Sequence, residues 1–161
     1  MNKKRLVPNT IKGFTIIELL VVVAVIGLLA AFILASFAQP KTKSRDARRE
    51  VDMKELRNGL NLYINNNSSY PVCSLGIPTD SACGGQSLEE ILRSANAMSA
   101  APRDPLSAGD CDFQPGSHVY CYESNANGTS YFLYYHLETN SIANPSGAPV
   151  DGAPGWYVIS P

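Results

Sequence analysis

The residues best suited to catalysis lie in the C-terminal half of the chain. His118 and His136 are the only histidines, and both fall within alternating, strand-like sequence. No serine, histidine and acid are arranged as a nucleophile elbow. The glycines lie in turn-like contexts such as "CGGQ" and "PSGAP" rather than in a phosphate-binding loop. The sequence therefore predicts a protein that is not an enzyme, in which both histidines are packed or lie at the surface.

Two groups of residues carry atoms that could bind a metal ion. Cys111, His118 and Cys121 offer sulfur and nitrogen atoms to zinc, but their spacing matches no usual zinc signature. A loop that also contains proline and glycine carries three aspartates, Asp104, Asp110 and Asp112. Carboxylate oxygens are the ligands that calcium prefers. We expect no metal or other cofactor, with calcium at these aspartates as the weaker alternative to a solvated acidic loop.

The cysteines form two evenly spaced pairs. Nine residues lie between Cys73 and Cys83, and nine lie between Cys111 and Cys121. Local pairs of this kind are typical of disulfides made in an oxidising compartment. Four cysteines allow three connectivities, of which the equal short spacing favours Cys73–Cys83 and Cys111–Cys121. Unpaired thiols are the alternative.

Charge is segregated along the chain, although the net charge is only -1. Residues 1–13 carry four basic residues and no acid, whereas residues 58–161 carry two arginines and nine acids. An acidic domain is poorly matched to the phosphates of nucleic acid. Direct binding to nucleic acid is therefore not expected.

A long apolar run covers residues 14–38. Thr15, Glu18, Gly27 and Ser36 are the exceptions among these 25 residues. At about 1.5 Å per residue, a helix of this length exceeds the roughly 30 Å hydrocarbon core of a bilayer. A secretory signal peptide has a shorter apolar region. The run predicts a single membrane-spanning helix, and Glu18 is its one charge.

The start of this run carries a recognisable motif. The stretch "KGFTIIE", residues 12–18, resembles the type III signal of type IV pilins and pseudopilins. The resemblance implies that a prepilin peptidase cuts between Gly13 and Phe14, that Phe14 is N-methylated, and that Glu18 guides filament assembly. A weaker similarity to the major pseudopilins of type II secretion covers residues 46–71, "DARREVDMKELRNGLNLYINNNSSYP".

The resemblance implies a structural role and a set of partners. The chain would cross the inner (cytoplasmic) membrane once, and basic residues on both sides of the run leave its orientation open. The cysteine pairs favour a C-terminal domain outside the cytoplasm. Its partners would be the peptidase, an inner-membrane assembly platform, and further copies or other pilin-like subunits in a filament.

Several functions remain open within and beyond this family. A type II secretion pseudopilus is favoured over a type IV pilus, and a DNA-uptake pilus is a further alternative. Outside the family, the chain would be a signal-anchored extracytoplasmic binding domain that does not assemble. Such a tether needs neither a cleavable Gly13 nor the carboxylate of Glu18, so the motif favours assembly.

Beyond the apolar run, residues 39–66 are predicted to continue the helix in amphipathic form. Met53, Leu56, Leu60 and Tyr63 recur at helical spacing, which places them on one face that can pack against a sheet. The charged residues nearby are expected to form a solvated face; they are Asp46, Arg48, Arg49, Glu50, Asp52, Lys54 and Glu55.

Residues 67–161 are predicted to form a loop-rich extracytoplasmic domain. Ser87 and Glu90 have the spacing of a capping box and predict a short helix over residues 87–96. Alternating segments on either side of "NANG" predict an antiparallel hairpin over residues 118–138. The stretch "GWYVIS", residues 155–160, predicts a third strand.

These elements define an α+β fold class. A basic leader, residues 1–13, would be cleaved from a long N-terminal membrane-spanning helix. The amphipathic continuation of that helix would carry a short antiparallel sheet on its C-terminal half. The resemblance to pilins implies a lollipop shape for this arrangement.

Overall fold

The structure of the protein is a computed structural model that describes residues 13–36, 38–80, 82–139 and 142–161. The predicted leader lies outside these residues, apart from Gly13. The chain forms two units that divide between Gln39 and Pro40. The first contains helix α1, Ile16–Ser36. Helix α2 runs over Ala38–Asn67, and nearly all of it, from Pro40 onward, belongs to the second unit. The second unit also contains a third helix and four strands.

Helix α1 carries apolar side chains on every side. Ile16 is 86 % exposed, Leu20 is 65 % exposed and Leu28 is 63 % exposed. A helix that is apolar all round is normally buried in a larger protein assembly or in a membrane. The side chains of α1 that the structure describes are therefore expected to be covered by an apolar environment.

The predicted membrane span over residues 14–38 is not found among the described helices. Within residues 13–36, 38–80, 82–139 and 142–161, no helix combines the length and apolar character needed to cross a bilayer.

The main core of the second unit lies between α2 and one face of the sheet. Met53, Leu56 and Leu60 are completely buried, and Tyr63 packs beside them. The same core contains alternate residues of strand β2 (Tyr131–His136), namely Tyr131, Leu133 and Tyr135. Burial of each large apolar side chain contributes about 1.5–3 kcal/mol. The predicted apolar stripe is confirmed.

The strands form an antiparallel sheet in the order β1-β2-β4-β3. Strand β1, Cys121–Ser124, pairs with β2 and confirms the hairpin predicted over residues 118–138, although the strands are shorter than that range. Strand β4, Trp156–Ile159, is the predicted third strand and pairs with β2. Strand β3, Ala148–Pro149, was not predicted, because two residues are too short to show alternation.

Both edges of this sheet are protected. Beside β1, Gly76 and Tyr122 exchange backbone hydrogen bonds of 3.1 and 2.9 Å, and the N–H of Ser124 donates to the carbonyl of Cys73 at 3.1 Å. The opposite edge, β3, is two residues long and includes Pro149, which has no N–H to donate.

Loops cover the face of the sheet that points away from α2. Trp156 is 1 % exposed at the centre of this second core. The ring of Phe113 meets those of Trp156 and Tyr134 edge to face, with centroids 5.1 and 5.0 Å apart. We call these loops the loop layer; its residues in the second core include Ile77, Cys111, Phe113, Val150 and Ala153. The sheet therefore lies between α2 and the loop layer.

Helix α3, Leu88–Ser94, begins where the sequence predicts. The hydroxyl of Ser87 accepts a hydrogen bond from the N–H of Glu90 at 3.1 Å, and the Glu90 carboxylate accepts one from the N–H of Ser87 at 2.9 Å. This capping box satisfies backbone donors at the helix start. Leu88 and Leu92 then anchor α3 in the main core.

Candidate functional site

The residues predicted for processing and assembly lie at the start of α1. Gly13, Phe14 and Thr15 precede the helix, and Glu18 lies in its first turn. Phe14 is 83 % exposed. A Cβ atom added to Gly13 would meet no atom within 4 Å. Packing within the described chain therefore does not require glycine at position 13.

Glu18 is held by Thr15 in a capping box. The backbone N–H and the hydroxyl of Thr15 donate to Oε2 of Glu18 at 2.9 and 2.8 Å. The N–H of Glu18 donates to the Thr15 hydroxyl oxygen at 3.3 Å. These bonds satisfy donors at the helix start and place a carboxylate at the positive end of the helix dipole. The Thr-x-x-Glu spacing of a capping box is visible in the sequence, although the sequence analysis above does not assign this local role to Glu18.

The four cysteines form two disulfides, Cys73–Cys83 and Cys111–Cys121, in the pairing that their spacing favours. No cysteine of the chain is free. Because zinc binds thiolates, the disulfide removes Cys111 and Cys121 as zinc ligands. The disulfides instead close two loops, and both loops contribute residues to the loop layer, Ile77 from one and Phe113 from the other.

The three aspartates of the alternative calcium site do not converge. Asp104 accepts hydrogen bonds from Nε and Nη2 of Arg49 at 2.6 and 3.0 Å. Asp112 accepts one from the Ser117 hydroxyl at 2.7 Å, and Asp110 is exposed. In the part of the chain that the structure describes, no three acidic, histidine or cysteine side chains are grouped to hold a metal ion.

The prediction of a solvated charged face on α2 is wrong for four residues. The inward-turned side chains are Asp46, Arg49, Glu50 and Asp52, each at most 7 % exposed. The remaining three, Arg48, Lys54 and Glu55, are exposed as predicted. The buried four find polar partners in distant segments of the chain, which is why they can leave water. The sequence does contain an indication of this burial. Asp46 and Arg49 precede Met53 at helical spacing, so they lie on the same face of α2 as the buried apolar residues.

Arg49 is the centre of a buried ion-pair network. Besides Asp104, its guanidinium donates from Nη1 to Asp46 at 2.8 Å and to Glu138 at 2.7 Å. Arg45 donates to the same Glu138 carboxylate from Nε at 2.7 Å and also from Nη2. The planar guanidinium suits paired hydrogen bonds to carboxylates. The network therefore fixes the loop at Asp104 and the chain after β2 against α2.

The network also affects the ionisation of its neighbours. Hydrogen bonds from Arg45, together with those from Arg49, lower the pKa of Glu138 to about 2. Burial lowers the pKa of His136, whose ring lies 4.9 Å from that of His118. Nη2 of Arg49 lies 3.5 Å from Nδ1 of His118. The histidines are thus packed beside a structural ion-pair network, as the sequence predicts.

Glu50 and Asp52 attach further segments to the helix. The hydroxyl of Tyr135 donates to Glu50 at 2.6 Å, and the backbone N–H of Ser146 donates to Glu50 at 2.9 Å. The hydroxyl of Tyr120 donates to Asp52 at 2.7 Å. These contacts join the sheet and the segment before β3 to α2. They stabilise the domain and hold no reactive group towards solvent.

Comparison with known proteins adds two findings. Residues 8–34 match the family model described as the prokaryotic N-terminal methylation motif. The chain is also 30 % identical to the type II secretion system core protein G of Vibrio cholerae serotype O1 over 105 residues, which are 61 % of this chain and 72 % of that relative.

Two further relatives carry the same name. Identity is 27 % to the protein of Escherichia coli K12 and 26 % to that of Klebsiella pneumoniae, over 110 residues in each case. These alignments cover 66 % of this chain and 74 % and 77 % of the two relatives. No solved structure matches the chain.

Proposed function

The chain belongs to the family of type II secretion system core protein G, and from this membership we propose that it is a structural subunit of a secretion pseudopilus, not an enzyme. The observation that carries the proposal is helix α1, which is exposed and apolar on every side and begins with a processing motif and one carboxylate. An apolar helix of this kind needs partners, and assembly supplies them. The relatives' name favours secretion over a pilus of another type.

The proposed maturation step is cleavage between Gly13 and Phe14, followed by N-methylation of Phe14. The exposure of Phe14 supports access by a membrane peptidase. The open space around Gly13 is consistent with a glycine selected for the peptidase rather than for packing. Mass spectrometry of the mature protein should find an N-methylated Phe14 at the N-terminus; a chain that keeps Met1 beside an active peptidase would contradict this.

Before assembly, we place the chain in the inner membrane, anchored by the apolar run over residues 14–38. The two disulfides support a C-terminal domain outside the cytoplasm, where they can form. The partners would be the prepilin peptidase, the assembly platform, and a filament of further copies or related subunits. We propose no cofactor for this role.

Glu18 is proposed to set the register between neighbouring subunits. Cleavage would leave a positive amine on Phe14, four positions before Glu18, so both groups lie at one end of the helix. When apolar helices pack together, an unpaired buried charge is strongly unfavourable. In the isolated chain Thr15 already satisfies the carboxylate. In a filament, the amine of a neighbour can join or replace Thr15 at one axial offset only.

The test is the Glu18→Val variant, with Glu55→Val as a matched control on an exposed position of α2. We expect both variants to be cleaved and retained in the membrane. Filaments sheared from cells should contain the control but not Glu18→Val. Normal incorporation of Glu18→Val would refute a role for the carboxylate in assembly.

A further inference from the structure

The outer face of the sheet, which points away from α2, is covered at one end only. The loop layer packs on this face around Cys121 and Trp156. Towards the other end, Phe132 is 39 % exposed and Leu75 is 38 % exposed. An open apolar area therefore remains beside the second core.

Strand pairing places this open area in one row across the sheet. Tyr122 lies in the main core, so the next residue, Glu123, points to the outer face. Glu123 is paired with Phe132, and the bridge between Gly76 and Tyr122 places Leu75 on the other side of Glu123. Neighbouring strands are about 4.8 Å apart, so this row of three side chains spans roughly 10 Å.

Two aromatic rings lie beside the Glu123 carboxylate. The ring of Phe132 stacks on that of Tyr134, with centroids 6.2 Å apart and planes inclined by 30°. The Tyr134 hydroxyl donates a hydrogen bond to Oε1 of Glu123 at 2.7 Å, which holds the carboxylate next to the rings. We call Leu75, Glu123, Phe132 and Tyr134 the outer patch.

Glu123 is a half-buried carboxylate without a counter-ion of its own. Among the residues that the structure describes, no lysine or arginine forms an ion pair with it, whereas Glu138 is paired with both Arg45 and Arg49. A partly buried charge among apolar side chains is stabilised by an opposite charge. Because the outer patch is open, that charge can come from another molecule.

The surroundings of the outer patch also favour a cation. Outside α2, the exposed basic residues of the described chain are Arg93 and Arg103. Asp80 lies close to the patch, since its Oδ2 would be 3.8 Å from a Cβ atom added to Gly76. Further exposed acids belong to the loops on this side of the unit, namely Asp110, Asp112 and Asp151. A surface of one sign attracts ligands of the other.

We infer that the outer patch binds a lysine or arginine of another protein, carried in an extended segment with apolar residues on either side. The cation would pair with Glu123 and lie against the face of Phe132, where cation–π attraction adds to the ion pair. Alternate side chains of an extended segment point the same way, about 7 Å apart. Apolar residues two positions away would therefore reach Leu75 and the aromatic rings.

The chemistry of the patch favours a basic polypeptide over a sugar or a metal ion. A neutral sugar can stack on aromatic rings, but it would leave the Glu123 charge unpaired. One carboxylate is too few to hold a metal ion, and the described residues contain no group of three acidic, histidine or cysteine side chains around it. The inference goes beyond the filament role, because it needs the folded second unit and neither cleavage nor assembly.

The probe is the peptide acetyl-Leu-Ser-Arg-Ser-Leu-amide, which presents its apolar and basic side chains on one side when extended. It is immobilised on a column, and a second column carries the same peptide with citrulline, a neutral analogue of arginine. The full-length chain in a non-ionic detergent is passed over both columns. The difference in retention measures recognition of the charge.

Two variants are each compared with a matched control. Glu123→Gln removes the charge and keeps the shape, and Glu55→Gln makes the same change at an exposed position of α2. Phe132→Ala removes the exposed ring, and Leu106→Ala truncates a side chain that is 42 % exposed outside both cores. The emission of Trp156 verifies that each variant is folded.

We expect wild type to be retained on the arginine column more than on the citrulline column. This difference should fall about tenfold in Glu123→Gln and about fivefold in Phe132→Ala, because each removes one part of the cation site. Both controls should stay within about twofold of wild type. High salt should reduce the retention of wild type.

Equal losses in Glu123→Gln and Glu55→Gln would indicate ordinary ion exchange and overturn the inference. Equal retention of wild type on the two columns would also overturn it. Binding of chitotriose that Phe132→Ala abolishes, without retention on the arginine column, would assign the patch to carbohydrate instead. None of these readouts requires filaments, so failure here is distinguishable from failure of the subunit role, which Glu18→Val tests.

Discussion

Replacement of Arg49 by methionine tests whether the buried network stabilises the domain. Methionine keeps a long unbranched side chain at a position with 0 % exposure but removes every charged hydrogen bond. Asp46 and Asp104, also 0 % exposed, and Glu138, 15 % exposed, would lose their common donor. Removal of one partner from a buried ion pair costs about 3–5 kcal/mol. That loss is a large share of the roughly 5–15 kcal/mol that stabilises a typical domain.

The assay is denaturant unfolding of the full-length chain in detergent, followed by fluorescence. Trp156 is the one tryptophan in the sequence and is 1 % exposed in the second core, so its emission reports unfolding of the second unit. Arg48→Met is the matched control. Arg48 is 65 % exposed and 3.7 Å from Asp52, and such surface pairs contribute about 0–1 kcal/mol.

A second variant distinguishes the cost of leaving a buried carboxylate unpaired from the loss of the interaction with Arg49. Adding Asp104→Leu to Arg49→Met removes one buried carboxylate that would otherwise stay unpaired, and it should recover part of the lost stability. Equal unfolding midpoints for Arg49→Met and Arg48→Met would refute the reasoning. They would mean that the buried carboxylates find other partners without cost.

Two further predictions concern pH and calcium. The pKa of Glu138 is about 2 in the folded state against an ordinary 4.5, so its contribution to stability should be complete above about pH 4.5 and lost as the pH falls towards 2. Glu138→Gln should remove this part of the pH dependence of Tm; an unchanged acid profile would contradict the assignment. Because both oxygens of the Asp104 carboxylate accept hydrogen bonds from Arg49, Asp104 is not available to bind calcium, and neither calcium nor EDTA should shift Tm. A rise in Tm with calcium that Asp110→Asn abolishes would show that the loop binds the ion.

Features set by neighbouring residues could be predicted from the sequence. The stripe of Met53, Leu56 and Leu60 follows from helical periodicity, which is a property of one segment. The capping box at Ser87 and Glu90 is likewise contained within four residues. The hairpin follows from alternation on either side of a turn. In each case the interacting groups are close in the chain, so their spacing specifies the structure.

The inward charges of α2 depend on contacts that spacing does not report. Arg49 meets Asp104 across 55 positions and Glu138 across 89 positions, and Glu50 meets Tyr135 across 85. Periodicity places Arg49 on the buried face of α2, but it does not show that carboxylates from other segments lie within hydrogen-bond distance of it there. Without those partners, a charged residue is expected to remain in water. The interleaved charges were therefore predicted to be solvated, and only the tertiary structure sorts the acids inward and most of the bases outward.

The protected edges of the sheet bear on how such a chain avoids aggregation. A subunit that polymerises brings many identical domains to a very high local concentration. An open strand edge would then invite a competing, amyloid-like addition of strands between domains. The backbone at Cys73 and Gly76 hydrogen-bonds to one edge of the sheet. At the other edge, the two-residue strand β3 with Pro149 leaves few backbone groups free to pair with another strand. The domain therefore presents few unpaired strand backbone groups to the neighbouring copies that polymerisation brings close.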